Sequence, residues 1–123
     1  MFGGAAVSWF SRAQSCIALS SAEAEYVALS DALKEAEFVR GILKFLEPHR
    51  NRRIIVHEDN QGAIRLATNP LSSARSRHID VRFHYVRHLV SSGLVSVCYV
   101  GTKDQHADIL TKPVEGNSFV YHR

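Results

Sequence analysis

The sequence has few cysteines, which stabilise small secreted folds as disulfides, and it has no long apolar run of the kind that crosses a membrane. It has two cysteines among 123 residues. Cys16 and Cys98 lie in separate apolar stretches, so they form neither a disulfide framework nor a CxxC metal motif, and we expect two reduced thiols in or near the core. No apolar run approaches the roughly 18 residues that a transmembrane helix needs. The N-terminus also lacks the pattern of a signal peptide, so we expect a soluble, intracellular protein without a membrane partner, in the cytoplasm or nucleus.

The sequence also has no large excess of positive or negative charge. Fifteen basic residues oppose 12 acidic ones, which leaves a net charge of +3. This surplus favours an anionic partner only weakly. The hydrophobic fraction of 46% and the length fit one globular domain. We assign that domain to residues 1–113 and a C-terminal tail to residues 114–123, where structural signals are weak.

Apolar periodicity and turn residues predict alternating strands and helices. Ser20, with Glu23 three residues later, fits the capping box that begins a long helix. Gly93 is a suitable C-cap for a later helix. The predicted order is strands at 5–10 and 15–19 forming a hairpin, a helix at 20–46, a strand at 53–58, a helix at 60–67, a loop at 71–77, a helix at 78–91, a strand at 94–100 and a short helix at 104–111. This order predicts an α/β domain with a mixed sheet flanked by helices.

The long helix carries two glutamates near its start. Steps of four and three residues from Glu25 reach apolar residues as far as Leu46, whereas the same steps from Glu23 reach mostly polar ones. We therefore expect Glu25 on the buried face and Glu23 on the solvated face. A buried carboxylate needs a partner, which can be a structural hydrogen bond, an ion pair or a metal ion.

Further carboxylates follow a strand and sit on the last helix. Asp59 can be a helix N-cap or a metal ligand at the carboxyl end of a strand. Its neighbour Glu58 alternates to the other side of the strand, so we expect Glu58 at the surface. Asp104 and Asp108 share one helical face; Asp104 suits the N-cap, whereas Asp108 lies one turn inside.

Mg²⁺ prefers oxygen ligands, and two such ions can activate a water and stabilise the leaving oxygen of a phosphodiester. The candidate set is Glu25, Asp59 and Asp108, which come from three separate elements. Their residue types permit such a site, but their spacing alone does not establish that they converge.

Four longer motifs occur in a fixed order: ALSSAEAEYVALS (18–30), EDNQGAI (58–64), RHIDVRFHYVR (77–87) and DQHADILTKP (104–113). Together they resemble the ribonuclease H domain of copia-type retrotransposon Pol polyproteins. The resemblance implies a ribonuclease H-like fold that hydrolyses the RNA strand of RNA–DNA hybrids with two Mg²⁺ or Mn²⁺ ions, held by four carboxylates. It also implies covalent linkage to a reverse transcriptase. By motif, three of the four carboxylates match Glu25, Asp59 and Asp108.

The family's fourth carboxylate has no counterpart. In the family an Asp-bearing strand precedes the Gly-Gly motif, whereas here Met1 and Phe2 stand directly before Gly3, and no acidic residue precedes Glu23. That first strand is central in the family's sheet. We therefore expect a sheet lacking this strand, gapped or rearranged, with unpaired edges. We also expect weakened metal binding and loss of most of the hydrolytic rate.

Basic residues in the middle of the chain are candidates for nucleic-acid contacts. Five arginines cluster there: Arg65, Arg75, Arg77, Arg82 and Arg87. Such a cluster can bind phosphates without sequence specificity or can be an ordinary solvated face. With the resemblance, the predicted nucleic-acid-binding residues are Asn60, Gln61, Arg75, Arg77 and His78.

One rival metal site has a weaker basis. Asp80, His84 and His88 share a helical face at a spacing that can bind zinc. The glutamate of the His-Glu-x-x-His pattern is missing, so we do not expect a zinc enzyme.

Two functions therefore compete. One is a two-metal endonuclease for RNA–DNA hybrids, active only when the missing strand is supplied. The other is a non-catalytic, nucleic-acid-binding remnant of a decayed retroelement.

Overall fold

A computed structural model describes residues 5–69 and 77–110, with the backbone alone at 77–80 and 109. The elements, in chain order, are helix α1 (Ser21–Leu46), strand β1 (Ile54–Glu58), helix α2 (Gln61–Thr68), helix α3 (Arg77–Ser91), strand β2 (Val95–Tyr99) and two 3₁₀ helices (Thr102–Asp104 and His106–Leu110). The predicted α/β class is confirmed, and the arrangement is consistent with a ribonuclease H-like fold with a reduced sheet. The predicted tail lies outside the described residues.

Helix α1 begins where the capping signal predicts. The Ser20 hydroxyl accepts a hydrogen bond of 3.2 Å from the Glu23 N–H. The Glu23 carboxylate accepts one of 2.6 Å from the Leu19 N–H, one residue earlier than in a standard capping box. The first bond satisfies one of the N–H groups of the first turn, which have no intrahelical acceptor, and the second ties the residue before the cap to the helix. The helix ends two residues before Pro48, which cannot continue it.

The two strands form a parallel pair with Ile54 opposite Val95 and Glu58 opposite Tyr99. One face of the pair packs on the helices through residues such as Val56 and Val97. The other face is open to solvent, and Ile55 there is 63% exposed. Helices α2 and α3 lie between the two strands in sequence, which supplies the long connection that a parallel pair requires.

The core lies between the three helices and the covered face of the sheet. Its buried residues are Tyr26, Leu29, Leu33, Ala67, Val86, Leu89 and Val95. The Tyr26 ring stacks on Phe83 with centroids 4.3 Å apart, and the Tyr26 hydroxyl donates to the Phe83 carbonyl at 3.3 Å. Burial raises the pKa of Tyr26 above its ordinary value. The stacked pair therefore joins α1 to α3.

An ion-pair network around Asp31 connects α1 to α3 and to the N-terminal segment. Its carboxylate accepts from Arg82 at 2.6 Å, from Arg12 at 3.2 Å and from Lys34 at 3.3 Å. Partial burial acts to raise the pKa of Asp31, but the hydrogen bonds, led by that from Arg82, outweigh it and hold the pKa below its ordinary value. Asp31 thus links Arg12 of the N-terminal segment and Arg82 of α3 to α1.

The predicted hairpin at 5–10 and 15–19 is wrong. Apart from an isolated bridge residue at Ala5, residues 5–19 contain no strand. Trp9 is 69% exposed and Ile17 is 87% exposed. An isolated hairpin is marginal in water, and in the described part of the chain no strand lies beside this segment. The sheet of residues 5–69 and 77–110 therefore has two strands instead of the predicted four.

Two smaller expectations are also corrected. The last predicted α-helix is instead two 3₁₀ turns, and the first begins after Gly101, so Asp104 is not its N-cap. Both cysteines are free, as expected, but Cys98 is exposed on the open face of the sheet and not in the core.

The end of α3 agrees with the sequence. Gly93 has a φ of 74°, the left-handed conformation that follows many helices and that glycine adopts without steric cost. Among the described helices, none has both the length and the apolar character that crossing a membrane requires.

Candidate functional site at the carboxyl end of β1

The first turns of α1 and α2 meet closely beside the carboxyl end of β1. A Cβ built on Gly62 would lie 2.8 Å from the Ala22 Cβ and 3.0 Å from the Asn60 Oδ1. Contacts below 3.0 Å are essentially never found for a real Cβ. The glycine therefore permits this approach, which brings the acidic start of α1 toward the residues that follow β1.

The cap of α2 is Asn60 and not Asp59. The Asn60 Oδ1 accepts hydrogen bonds of 2.9 Å from the Gly62 N–H and 3.2 Å from the Ala63 N–H. The N-cap interpretation of Asp59 is therefore wrong, because its neighbour satisfies those donors. Asp59 is half-buried at the junction of β1 and α2, and the metal-ligand interpretation is the one that remains from the sequence.

Glu58 is buried, contrary to the expectation that it lies at the surface. It is 6% exposed, and its Oε1 accepts a hydrogen bond of 3.0 Å from the Asn60 N–H. Burial raises the pKa of Glu58, the Asn60 N–H lowers it, and the charges of Glu25 and Asp59 raise it further, for a net rise. Alternation along β1 places Glu58 on the same side as Ile54 and Val56, and that side is the one the helices cover.

The roles of the two glutamates of α1 are the reverse of the prediction. Glu23 is buried and Glu25 is exposed. The buried stripe of the first half of α1 passes through Glu23, Tyr26, Ser30 and Leu33. Counting apolar residues selected a neighbouring stripe because it gave no weight to Ser30, which is completely buried. Glu25 still lies near the strand end, since its charge contributes to the raised pKa of Glu58.

Asp108 is held near β1 through the 3₁₀ turns. The Gln105 side-chain amide donates to the His57 carbonyl at 3.2 Å, and the Asp108 N–H donates to the Gln105 carbonyl at 3.2 Å. Asp108 is half-buried. Unlike Glu25 and Asp59, it is not among the groups that shift the pKa of Glu58.

The described carboxylates do not by themselves form a metal site. Among the described side chains, no three histidine, cysteine, aspartate or glutamate groups are arranged to hold a metal ion. A pair of hard cations would need several oxygen ligands converging on them. The structure thus groups Glu25, Glu58 and Asp59 electrostatically, without the closed ligand set that two ions require.

The predicted nucleic-acid contacts are only partly described. Arg75 and the side chains of Arg77 and His78 lie outside the described residues. Gln61 is exposed, whereas the Asn60 side-chain oxygen is occupied by capping.

Two other arginines of the same cluster are engaged within the protein. Arg82 pairs with Asp31, and the Arg87 Nε donates to the Leu66 carbonyl at 3.3 Å. Arg65, by contrast, is exposed. The cluster therefore offers fewer accessible cations than its sequence suggests.

Comparison with known proteins finds relatives in one class of polyprotein. The chain is 41% identical over 118 residues to the retrovirus-related Pol polyprotein from transposon TNT 1-94 of Nicotiana tabacum, a match covering 96% of the chain and 9% of the polyprotein. Those from transposons RE1 and RE2 of Arabidopsis thaliana are 36% and 35% identical over 113 residues, covering 92% of the chain and 8% of each polyprotein. No family model and no solved structure matches.

The chain spans less than a tenth of the length of these curated relatives. The match runs through nearly all of the chain, including the segments that form α1, β1 and α2. The chain is therefore homologous to one segment of the retrovirus-related Pol polyproteins of plant transposons.

Proposed function

We propose that this chain is a ribonuclease H-type segment of a copia-type retrotransposon Pol polyprotein. In this role it binds RNA–DNA hybrids and supplies Glu25, Asp59 and Asp108 as ligands for Mg²⁺ or Mn²⁺. By itself the chain hydrolyses the RNA strand slowly. Its natural partners are the RNA–DNA hybrid and a covalently linked reverse transcriptase.

The observation that carries this proposal is the acidic edge at the carboxyl end of β1. Glu25 and Asp59 are close enough to Glu58 to raise its pKa. The edge of a sheet where strands end is a common location for functional sites in α/β proteins. A carboxylate whose pKa is raised by burial and by neighbouring acidic groups at such a place is a candidate for a functional site.

Asp108 is included in the proposed ligand set because its 3₁₀ segment is attached to β1. The bond from Gln105 to the His57 carbonyl fixes the 3₁₀ segment to β1 one residue before Glu58. For the three ligands to converge, this segment must move on binding of the hybrid so that the Asp108 carboxylate reaches the acidic edge. Such a movement explains how three ligands can come together when the described residues alone do not form a metal site.

The proposal is tested by incubating the full chain with a labelled RNA–DNA hybrid and Mg²⁺ or Mn²⁺. We expect the hybrid to bind and to be cleaved slowly, and we expect Asp59→Asn to abolish that cleavage. Asp104→Asn is the matched control, since Asp104 is an exposed aspartate of the 3₁₀ segment. It should leave cleavage unchanged.

Absence of hybrid binding would contradict the proposal, as would slow cleavage that Asp59→Asn leaves intact. Rapid cleavage abolished by Asp59→Asn would support the nuclease assignment. It would also overturn the expectation of weak activity.

One observation favours a second candidate, a nucleic-acid-binding module without catalysis. It is the absence, among the described side chains, of three groups arranged to hold a metal ion. This candidate predicts hybrid binding that is the same with and without Mn²⁺ and the same in Asp59→Asn.

A further inference from the structure

The basic charge of this protein is concentrated at the corner between α1 and β1. The segment 40–53 contains five arginines and lysines against the single acidic residue Glu47. Its surplus of four positive charges exceeds the net charge of +3 of the whole chain. The remainder of the protein therefore has a net charge of −1, and this corner is a local positive region to which an anionic partner is attracted.

The corner contains a cleft open to solvent, with a volume of about 260 Å³. Its lining residues are Arg40, Lys44, Pro48, His49, Arg50, Asn51 and Arg52. Lys44, His49 and Arg50 are exposed, and the Arg50 side chain keeps 69% of its accessible surface. Hydrogen-bond donors from the end of a helix and from the following loop therefore face one space.

The single carboxylate at the corner does not neutralise these cations. Glu47 contacts Arg52, and its Oε2 lies 3.7 Å from an Arg50 nitrogen. The hydrogen bond from Arg52 is the main cause of the lowered pKa of Glu47, so Glu47 stays ionised and helps to hold both guanidinium groups beside the cleft. Lys44 and Arg40 add charge that Glu47 does not offset.

Arg40 adds a second indication. Its Nε is buried and has no hydrogen-bond acceptor among the described residues. A buried donor of this kind is normally satisfied by protein or by ordered solvent. Arg40 also lines the cleft, so its side chain is a candidate donor to an oxyanion bound there.

The helix dipole explains only part of the pattern. Cations near a helix C-terminus are favoured by the partial negative charge there. That effect applies to Lys44 in the last turn, but it falls off within one turn. It gives no reason for Arg50, Arg52 and Arg53, which follow the helix.

We propose that this basic corner binds the phosphodiester backbone of a nucleic acid, as a contact separate from the acidic edge of β1. The choice of nucleic acid as the ligand rests on the proposed function. Guanidinium and ammonium groups in such a cleft contact phosphate oxygens without reading sequence. The 19 residues from Glu25 to Lys44 span about 28 Å of helix, so the two regions lie at opposite ends of α1.

The test compares two variants that each remove two positive charges. Lys44→Gln/Arg50→Gln alters exposed side chains of the basic corner. Lys34→Gln/Lys103→Gln is the matched control; both lysines are exposed and lie outside segment 40–53, and Asp31 keeps its two arginine partners when Lys34 is lost. Circular dichroism confirms that both variants are folded.

Binding to an RNA–DNA hybrid and to a DNA duplex, each of about 20 base pairs, is measured over a range of salt concentrations without divalent cations. Each lost phosphate contact weakens binding by roughly tenfold at about 0.1 M salt and lowers the slope of log K against log salt by about 0.9. We expect the Lys44→Gln/Arg50→Gln variant to lose affinity for both duplexes and about 2 units of slope. The control should lose little of either.

Equal affinities and equal slopes for the two variants would overturn the inference. So would binding of phosphatidylserine vesicles that depends on Lys44 and Arg50 when duplex binding does not, because that result would assign the corner to a lipid surface. The assay needs no hydrolysis and includes plain DNA. If the chain proves not to be a nuclease, this binding assay therefore still tests the basic corner.

Discussion

Replacing Gly62 with alanine should destabilise the protein, although alanine is the better helix former. The added methyl group would lie 2.8 Å from the Ala22 Cβ and 3.0 Å from the Asn60 Oδ1. Neither neighbour is the end of a long flexible side chain, so one helix start must move away. Overpacking of this kind costs about 1–3 kcal/mol, from which up to about 1 kcal/mol of helix propensity is recovered.

Gly41→Ala is the matched control. Gly41 also lies within a helix, but a Cβ there would meet nothing within 4 Å. The same substitution should therefore stabilise the protein by about 0.5–1 kcal/mol, because alanine loses less backbone entropy in a helix. The two variants carry identical chemistry and differ in the space around the new methyl group.

Urea and thermal unfolding followed by circular dichroism provide the measurement. For a domain of this size, 1 kcal/mol shifts Tm by roughly 4 °C, so the two variants should fall on opposite sides of the wild type. A Gly62→Ala variant as stable as Gly41→Ala would refute the close approach of α1 and α2. That approach is what brings Glu25 toward the end of β1.

Three further predictions concern individual hydrogen bonds and use the same unfolding measurements. Asn60→Ala should cost about 1 kcal/mol because it removes the N-cap of α2, whereas Gln61→Ala, which alters an exposed side chain, should cost little; equal losses would contradict the capping assignment. Asp31→Asn should cost about 1–3 kcal/mol at neutral pH. Because the pKa of Asp31 is lowered in the folded state, its contribution is present at neutral pH and is lost as the pH falls through that lowered pKa; a difference from the wild type that persisted in acid would contradict this. Tyr85→Phe should cost about 1 kcal/mol by removing the 2.8 Å bond to Glu37. Burial and Glu37 raise the pKa of Tyr85 to about 12, and an absorbance titration in which every tyrosine ionises near 10 would contradict that environment.

Much of the secondary structure could be predicted because its signals are local. The capping hydroxyl of Ser20 and the proline at 48 mark the ends of α1 to within a residue or two. Gly93 marks the end of α3 through its left-handed conformation. These features depend on residues close together in the sequence, so they can be recognised before the fold is known.

The predicted hairpin could not be checked from local signals. A strand forms only when another strand satisfies its backbone hydrogen bonds. Residues 5–19 have the apolar composition of strands, but in the described structure they have no such neighbour, and Leu19 is 72% exposed. Composition alone could not reveal this.

The residues of the acidic edge are harder to assign from the sequence than the elements that carry them. Asp59 was correctly located between β1 and α2, but its neighbour Asn60 takes the cap. Glu58 was assigned to the surface because alternation gives two faces without saying which one the helices cover. The buried stripe of α1 was misplaced because Ser30 and Tyr26 take part in helix packing that hydrophobicity does not register.

The charge surplus of the basic corner can be read directly from the sequence. Segment 40–53 has the highest local surplus of positive charge, yet no familiar motif marks it. The arginines in the middle of the chain form a more obvious cluster in the sequence, but two of them, Arg82 and Arg87, are engaged in contacts within the protein.

The central claim is that Glu25, Asp59 and Asp108 act together on divalent ions when a hybrid is bound. Paramagnetic broadening by Mn²⁺, read from the backbone amide signals of the chain bound to an RNA–DNA hybrid, tests it most directly. We expect low Mn²⁺ concentrations to broaden the signals of all three residues together, and we expect Asp59→Asn to reduce the broadening at each. Broadening confined to other acidic residues, or none at Asp108, would contradict it.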